Sequence, residues 1–337
     1  MVNFTIGADP EVFVLKDKKP VSAHGLIRGT KENPFKVKYG AYQVDGMALE
    51  FNVDPTPLTE QASSTFSTKI ARVVETMQAA ARVNDPEYTF SLKSVEEFSK
   101  EVFDATPDEA KELGCNPDFN AYTGQMNPTP DSKDVMFRTG AGHIHLGWTE
   151  DAPVDHPEHI LICRKAIKAL DAYVGLFMTI LDPEPRRREL YGKAGAFRPK
   201  TYGVEYRTPS NAWIGDDGTR RTIYELTYAA TYFLRFGRTI DGVYLPREPS
   251  SLSEGKIERI INDGDWKRAY TVLKHMMSYV YTTYALGHIE DVYKKRVKAE
   301  TPRAKKAKAV ASISPSLSAT SNDWNTANMP NTNRQVM

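Results

Sequence analysis

Apolar residues in the first half of the chain alternate with polar ones in two stretches and then recur at helical spacing. Residues 4–15 and 41–53 are rich in Val, Phe, Leu and Tyr, with interruptions at Gly and Asp, which predicts strands. After Pro57, apolar side chains recur every three or four positions as far as Arg82, which predicts an amphipathic helix. Residues 84–135 contain many Pro, Asn, Asp and Gly, which predicts loops with short elements.

Strand-like alternation and helical spacing both continue in the second half of the chain. Residues 137–148 and 202–213 predict further strands, the first built around two glycines. Helical spacing covers residues 156–182, returns at 223–233 and appears again across 266–286. The body is therefore predicted to be α+β.

The composition changes near residue 299. Ser, Thr and Asn become frequent, large apolar residues become rare, and the segment opens with the basic run Arg303, Lys305, Lys306 and Lys308. Such a segment cannot bury a core, so we expect a folded body over residues 1–298 and a tail over 299–337 that is disordered when free. The basic run is interpreted as solvated rather than as a specific binding arm.

The overall charge and cysteine usage narrow the class of protein. The 337 residues include 44 Lys and Arg against 43 Asp and Glu, which makes nucleic acid an improbable main partner. Two cysteines without a CxxC motif suit a reducing cytoplasm. No basic leader opens the chain, and no apolar run approaches the roughly 20 residues of a membrane span. We expect a soluble cytoplasmic protein with no membrane partner. The sequence leaves open whether the chain forms an oligomer.

Pairs of polar residues at positions i and i+2 occur inside four of the apolar segments. Side chains two apart on a strand share a face, so each pair lies on one side of its strand. Burying such groups unpartnered costs several kcal/mol, about 2–7 for a neutral polar group, so they are expected to meet a ligand, a metal or one another. The pairs are Asp9 and Glu11, Glu50 and Asn52, His143 and His145, and Glu205 and Arg207.

The recurrence of these pairs predicts a metal site. If the four strands are neighbours in one antiparallel sheet, Glu11, Glu50 and Glu205 meet His143 or His145. Carboxylate oxygens with imidazole and without thiolates favour magnesium, or manganese in its place, over zinc.

A basic stretch precedes the last pair. It has glycines at 192 and 195, and its cations are Arg186, Arg187, Arg188, Lys193, Arg198, Lys200 and Arg207. Guanidinium forks next to a metal suit phosphate, whereas a solvated loop is the alternative. No GxxxxGK[ST] loop and no GxGxxG after a strand is present, so phosphate binding would use side chains and metal.

These segments resemble a known superfamily. GAGHIHLGW resembles the GxGxHxH strand of the glutamine synthetase and glutamate-cysteine ligase superfamily, and GVEYRTPSN resembles its RxExR strand. GADPEVF and DGMALEFN resemble its two acidic metal-binding strands. Phage-encoded type 2 carboxylate-amine ligases share all four motifs, and the resemblance covers roughly residues 4–240 in the same order.

The resemblance implies a curved antiparallel sheet of the glutamine synthetase type, with ATP and magnesium on its concave face and helices packed on the outer face. It implies that Glu11, Glu50, Glu205 and His143 bind metal. Nucleotide binding is implied for a second set, whose members are His145, Arg187, Arg188, Lys193 and Arg198. Arg207, with Arg198, would close on the transferred phosphoryl group.

The activity implied by the resemblance is amide formation. ATP would phosphorylate a small-molecule or peptide carboxylate, and an amine would displace the phosphate, releasing ADP and inorganic phosphate. Asp9 or Asp45 would accept the proton of the amine, and both remain open. The location would be the host cytoplasm for a phage protein.

Three alternatives compete with this interpretation. A guanidino kinase would use a related fold to transfer the phosphoryl group to nitrogen. A metal-dependent hydrolase would use His143 and His145. A non-catalytic, phage-associated binding protein would act through its basic tail.

Overall fold

The computed structural model describes most of the chain, namely residues 3–111, 118–128, 135–148, 157–236, 239–240, 243–244, 254–277 and 283–311. Residues 1–296 form one compact unit, and residues 297–337 form a second. Cys115, the loop at 246–250 and residues 312–337 of the predicted tail lie outside the described residues.

The strands are β1 (Thr5–Lys16), β2 (Lys19–Val21), β3 (Phe35–Val37), β4 (Gly40–Asp45), β5 (Ala48–Pro57), β6 (Thr89–Ser91), β7 (Val95–Glu97), β8 (Phe119–Asn120), β9 (Phe137–Thr139), β10 (Gly142–Gly147), β11 (Ala196–Lys200), β12 (Gly203–Tyr206), β13 (Thr239–Ile240) and β14 (Val243–Tyr244).

The helices are α1 (Ser63–Arg82), α2 (Lys100–Ala105), α3 (Asp108–Lys111), α4 (Pro157–Leu170), α5 (Leu176–Leu181), α6 (Pro185–Leu190), α7 (Asp217–Phe236), α8 (Glu254–Asn262), α9 (Trp266–Met277) and α10 (Thr283–Ala311). A π-helical turn, Asp171–Gly175, joins α4 to α5, and a 3-10 turn covers Asn211–Ile214.

One large antiparallel sheet organises the first unit. Within the described part of the chain it has ten strands, in the order β3-β4-β5-β1-β10-β12-β11-β8, with β2 and β6 also pairing with β1. The terminal strands β3 and β8 do not pair with each other among the described residues, so the sheet is open rather than a barrel. The predicted α+β class is confirmed.

The hydrophobic core lies on one face of this sheet. Strand residues such as Ile6, Phe51 and Ile144 are fully buried there, together with Ile70 of α1 and Ile223 of α7. Helix α1 packs on β4 and β5, and α4 packs on β11 and β12. Because side chains alternate across a strand, burying this set commits the polar residues between them to the opposite face.

Two local differences from the predicted elements have physical causes. Residues 41–53 form a hairpin, β4 and β5, because Gly46 turns the chain with a φ of +58°. The strand predicted over 202–213 ends at Tyr206, before Pro209, which has no N–H for a sheet. The basic stretch contains helix α6 and strand β11, so it is not the solvated loop that was the alternative interpretation.

No helix among the described residues combines the length and apolar character needed to cross a membrane. Residues 299–311 of the predicted tail continue helix α10.

Candidate active site

The polar pairs converge on the sheet face opposite helices α1 and α4. Strands β5, β1, β10 and β12 are consecutive neighbours in the sheet, as the metal-site prediction required. In the register, Glu11 faces Glu50, Asp9 faces His143, and His145 faces Glu205. A row of ionisable side chains therefore crosses four strands.

One group of ligand atoms lies in the middle of the row. Asp9, His145 and Glu205 each offer an atom within 4.8 Å of the others. The His145 Nε2 lies 3.0 Å from Asp9 Oδ1, and its Nδ1 contacts the Tyr202 hydroxyl. His143 Nδ1 lies 3.5 Å from Asp9 Oδ1 and 3.4 Å from Glu205 Oε1. Two carboxylates and two imidazoles thus share one small region.

A second group lies on the β4 and β5 side. Glu11, Asp45 and Glu50 also offer atoms within 4.8 Å of one another. The Ala141 N–H donates to Glu11 Oε2 at 2.9 Å, which fixes that carboxylate. Lys31 Nζ lies 3.3 Å from Asp45 Oδ2 at the edge of the group. This second group contains oxygen ligands only.

The first group holds its acids ionised. Burial alone would raise the pKa of Asp9, but His145 and His143 outweigh burial and bring that pKa well below its usual range. Burial and Asp9 raise the pKa of Glu205, whereas His143, Arg207 and His145 bring it down to about 2. The pKa of His145 is raised, because Asp9 and Glu205 outweigh its burial.

In the second group the surroundings raise the pKa of two carboxyl groups instead of lowering it. Burial, followed by the charge of Asp45, raises the pKa of Glu11 to about 7. Burial and the charges of Asp9, Asp45 and Glu11 raise the pKa of Glu50 well above its usual range. Crowded carboxylates of this kind are unfavourable as anions until a cation joins them. An all-oxygen donor set suits a hard divalent cation such as magnesium.

Cations from β11 and from the residue that follows β12 surround Glu205. Lys200 Nζ lies 2.6 Å from Glu205 Oε2, and Arg207 Nη1 pairs with Oε1 of the same carboxylate. Arg198 Nη1 is 3.9 Å from Glu205 Oε1. The register places Arg198 directly opposite Glu205, so both predicted arginines reach the row.

The other predicted phosphate-binding residues are placed differently. Arg187 is buried at the wall of the pocket, and its guanidinium donates to the carbonyls of Gly140, Thr208 and Pro209. Arg188 donates to carbonyls at the start of its own helix and lines a separate small cavity. Lys193 is exposed. The structure does not bring Arg188 to the row.

Two pockets open on this face. One, of about 260 Å³, is lined by the carboxylates of both ligand-atom groups, together with His143, Arg198, Lys200 and Arg207. The other, of about 400 Å³, is lined by His145 and otherwise by neutral residues, including Gly7, Asn52, Gly147 and Tyr202. The face therefore offers a charged pocket beside a neutral one.

Sequence reasoning missed several residues of this region. Lys200 was noted as a cation but was given no role, and Lys31, Asp118 and Tyr202 were not singled out. Lys200 shares the face of Arg198 by the same two-residue spacing that identified the other pairs, so its signal was available. Lys31 and Asp118 come from loop-rich segments without periodicity.

Comparison with known families supports the resemblance. Residues 132–234 match the model of a family described as phage phiEco32-like COOH.NH2 ligase-type 2. This segment holds His143, His145, Arg198, Glu205 and Arg207, and the family is the one that the motifs had indicated. The predicted resemblance is therefore confirmed over these residues. No curated protein matches the chain.

Proposed function

From this family match we propose that the protein is an ATP- and magnesium-dependent carboxylate-amine ligase, built on a sheet of the glutamine synthetase type. The observation that carries the proposal is the pair of adjacent ligand-atom groups, Asp9-His145-Glu205 and Glu11-Asp45-Glu50, beside Arg198 and Arg207. Phosphoryl transfer needs both metal ligands and guanidinium groups at one place, and this row supplies them.

The two pockets suggest where each part of the substrates binds. Phosphates and the substrate carboxylate suit the charged pocket, which contains Arg198, Lys200 and Arg207. The nucleoside suits the neutral pocket, where Gly7 and Gly147 leave the sheet surface bare and Tyr202 offers a ring. His145 lines the neutral pocket, and its Nε2 lies 3.0 Å from Asp9, which lines the charged pocket, so it is placed to contact a nucleotide that spans both.

Magnesium fits the donor sets of both groups. When bound, it would hold phosphate oxygens and offset their charge. Glu11, Asp45 and Glu50 would hold it on one side, and Asp9, His145 and Glu205 would hold it on the other. This division places Glu205 apart from Glu11 and Glu50, which the sequence prediction had grouped together.

The residues of the chain then have distinct chemical tasks. Arg198 and Arg207 stabilise the charge of the phosphoryl group during its transfer to the carboxylate oxygen. An amine nitrogen attacks the acyl carbon, and phosphate leaves with one oxygen of the original carboxylate. Asp9 and Asp45 are the two candidates for accepting the amine proton: two histidines hold Asp9 ionised, which makes it a weak base, and Asp45 lies at the pocket edge beside Lys31.

The first test measures nucleotide binding. Glu50→Gln and Glu205→Gln keep the side-chain shape and remove a ligand charge, so each should weaken binding of the magnesium complex of AMP-PNP about tenfold or more. The control is Glu97→Gln, an exposed glutamate that pairs with Arg186, which should bind like the wild type. Calorimetric titration gives the affinities. Wild-type affinity in both pocket variants would remove the basis of the proposal.

The second test follows the carboxylate oxygen. Amino acids and short peptides are screened with ammonium and amino-acid amines for amine-dependent ADP release, and the active carboxylate is then labelled with oxygen-18. Label should appear in inorganic phosphate, because that oxygen leaves with the phosphoryl group. Label in AMP would indicate an adenylating ligase, and phosphoryl transfer to nitrogen without amide formation would indicate a guanidino kinase.

A further inference from the structure

Asp118 is a buried carboxylate on which two guanidinium groups converge. Arg207 Nε lies 2.6 Å from Asp118 Oδ1, and Arg198 Nε lies 3.6 Å from the same oxygen. The side chain of Asp118 is 8 % exposed. The 2.6 Å contact is an ion pair rather than an aligned hydrogen bond. Asp118 does not line the charged pocket, so it contacts the arginines on the side away from that pocket.

The same two arginines also share Glu205. Arg207 Nη1 pairs with Glu205 Oε1, and Arg198 Nη1 lies 3.9 Å from that oxygen. Each guanidinium is therefore bracketed by one carboxylate at Nε and another at Nη1. Because a guanidinium is planar, contacts at two of its nitrogens fix the direction in which the whole group points.

The two carboxylates differ in what else they do. Glu205 belongs to the ligand-atom group with Asp9 and His145, whereas Asp118 belongs to neither group. A cation held by Glu205 would compete with the arginines for its oxygens, but the carboxylate of Asp118 would remain theirs. We propose that Asp118 is a positioning residue that keeps Arg198 and Arg207 aimed at the transferred phosphoryl group in the loaded site. The proposal rests on the function proposed above.

The backbone around Asp118 is suited to this task. The Asn127 N–H donates to the Asp118 carbonyl at 2.7 Å, and Asn120 Oδ1 accepts from the N–H groups of Tyr122 and Thr123 at 2.9 and 3.1 Å. Strand β8, which follows Asp118 directly, pairs with β11, the strand of Arg198. Asp118 therefore lies at the base of an anchored turn beside the side chains that it contacts.

The test compares two nucleotide probes, so it needs no knowledge of the carboxylate or amine. The wild type should bind the magnesium complex of AMP-PNP more tightly than that of ADP, because the arginines contact only the third phosphoryl group. Asp118→Asn keeps the shape and removes the charge, so it should weaken AMP-PNP binding about tenfold and change ADP binding less than about twofold. Equal discrimination in the wild type and the variant would overturn the proposal.

Two further variants separate positioning from general stability. Asp216→Asn removes a charge that accepts from the Thr219 N–H at 2.9 Å near the start of α7, so it should lower the melting temperature and leave nucleotide discrimination unchanged. Asp118→Glu keeps the charge and should retain most of the discrimination. A loss as large as that of Asp118→Asn, in a folded Asp118→Glu protein, would also overturn the proposal.

A double variant tests whether Asp118 acts through Arg207. In an Arg207→Lys background, Asp118→Asn should cost less AMP-PNP affinity than it does in the wild type, since the group that it orients is already changed. A fully additive loss would contradict this dependence. If wild-type protein binds neither nucleotide, the proposed function fails as well. If the wild type discriminates and Asp118→Asn does so equally, only the role of Asp118 fails.

Discussion

Asp171 is a fully buried carboxylate in the π-helical turn, on the helix side of the sheet. Its oxygens accept from the Tyr206 hydroxyl at 2.5 Å, from the Gly195 N–H at 2.7 Å and from the Thr208 hydroxyl at 3.3 Å. Tyr206, the last residue of β12, stands between Glu205 and Arg207 in the chain. Asp171 therefore ties the backbone that presents both pocket residues to the helical layer.

The ionisation of Asp171 gives a pH-dependent stability. Burial raises its pKa from 3.8 to about 7, although its hydrogen-bond donors oppose that shift. Between pH 3.8 and about pH 7, Asp171 is ionised in the unfolded chain but protonated in the folded protein. The contribution of Asp171 to the free energy of unfolding therefore falls as pH rises. The loss is complete above pH 7 and amounts to about 4 kcal/mol at most, at about 1.4 kcal/mol per pKa unit.

Asp171→Asn should lack this contribution. The difference in unfolding free energy between the wild type and the variant, measured by urea titration at pH 4 to 8, should change steadily through that window. Glu11 and Glu50 titrate in the same direction, and Asp9 and Glu205 in the opposite one, but all four are common to both proteins and cancel. A difference that is constant with pH would show that the donors keep Asp171 ionised.

At the residue scale, sequence predicts the site where spacing carries the signal. The i and i+2 pairs place Asp9, Glu11, His143 and His145 on one face because strand geometry leaves no other arrangement. Asp118 has no such signal, since it meets Arg207 across 89 positions and follows an aperiodic stretch. Contacts of that kind are created by the packing of the whole chain.

Among the elements, α6 shows how a basic run can be structural. Arg187 reaches the Thr208 and Pro209 carbonyls at 2.8 Å each and the Gly140 carbonyl at 3.3 Å, so it ties the helix to two neighbouring segments that also bond to each other. A Cβ at Gly192 would lie 1.5 Å from Arg187 Nη1, which explains the bare backbone there. The guanidinium adds a second donor to the Gly140 and Pro209 carbonyls, which also accept from the N–H groups of Asn211 and Gly142.

Replacing Arg187 and Arg188 separately tests this assignment. Arg187→Lys cannot serve three carbonyls in one plane, so the unfolding free energy should fall by about 2–4 kcal/mol. Arg188→Lys changes contacts within its own helix start and should leave AMP-PNP affinity unchanged. Denaturant titration and calorimetry supply the measurements. A selective loss of nucleotide affinity in Arg188→Lys would restore its predicted role in phosphate binding.

Of the two elements in the basic stretch, helix α6 carries recognisable sequence signals and strand β11 does not. Pro185 at the first turn of α6 and the Glu184 side chain accepting from the Arg186 N–H at 3.2 Å are recognisable start signals. Strand β11 reads AFRPK, which is short, charged and interrupted by proline. Its strand geometry comes from pairing with β12 and β8, which local preference does not encode.

For the whole molecule, the predicted boundary at residue 298 remains a proposal. The compact unit reaches residue 296, and Arg296 donates to the Leu181 carbonyl at 2.5 Å. A chain truncated after residue 298 keeps that contact and loses the Ser-, Thr- and Asn-rich segment. Its melting temperature and AMP-PNP affinity should match those of the full chain. A lower affinity with an unchanged melting temperature would show that the tail reaches the site.

The sheet contains an irregularity beside the neutral pocket. Ile6 pairs with Thr56 while Ala8 pairs with Val53, so β5 has one residue more than β1 over this stretch. Asn52 and Pro55, three positions apart, consequently both line that pocket, although a regular strand would turn them to opposite faces. Deletion of Asp54 would remove the extra residue and leave Val53 and Thr56 paired with Ala8 and Ile6, whereas a one-residue deletion elsewhere in β5 would exchange pocket and core positions beyond it. In related genes, a one-residue length change within β5 should therefore fall at this irregularity, and other length changes should fall in the connecting loops.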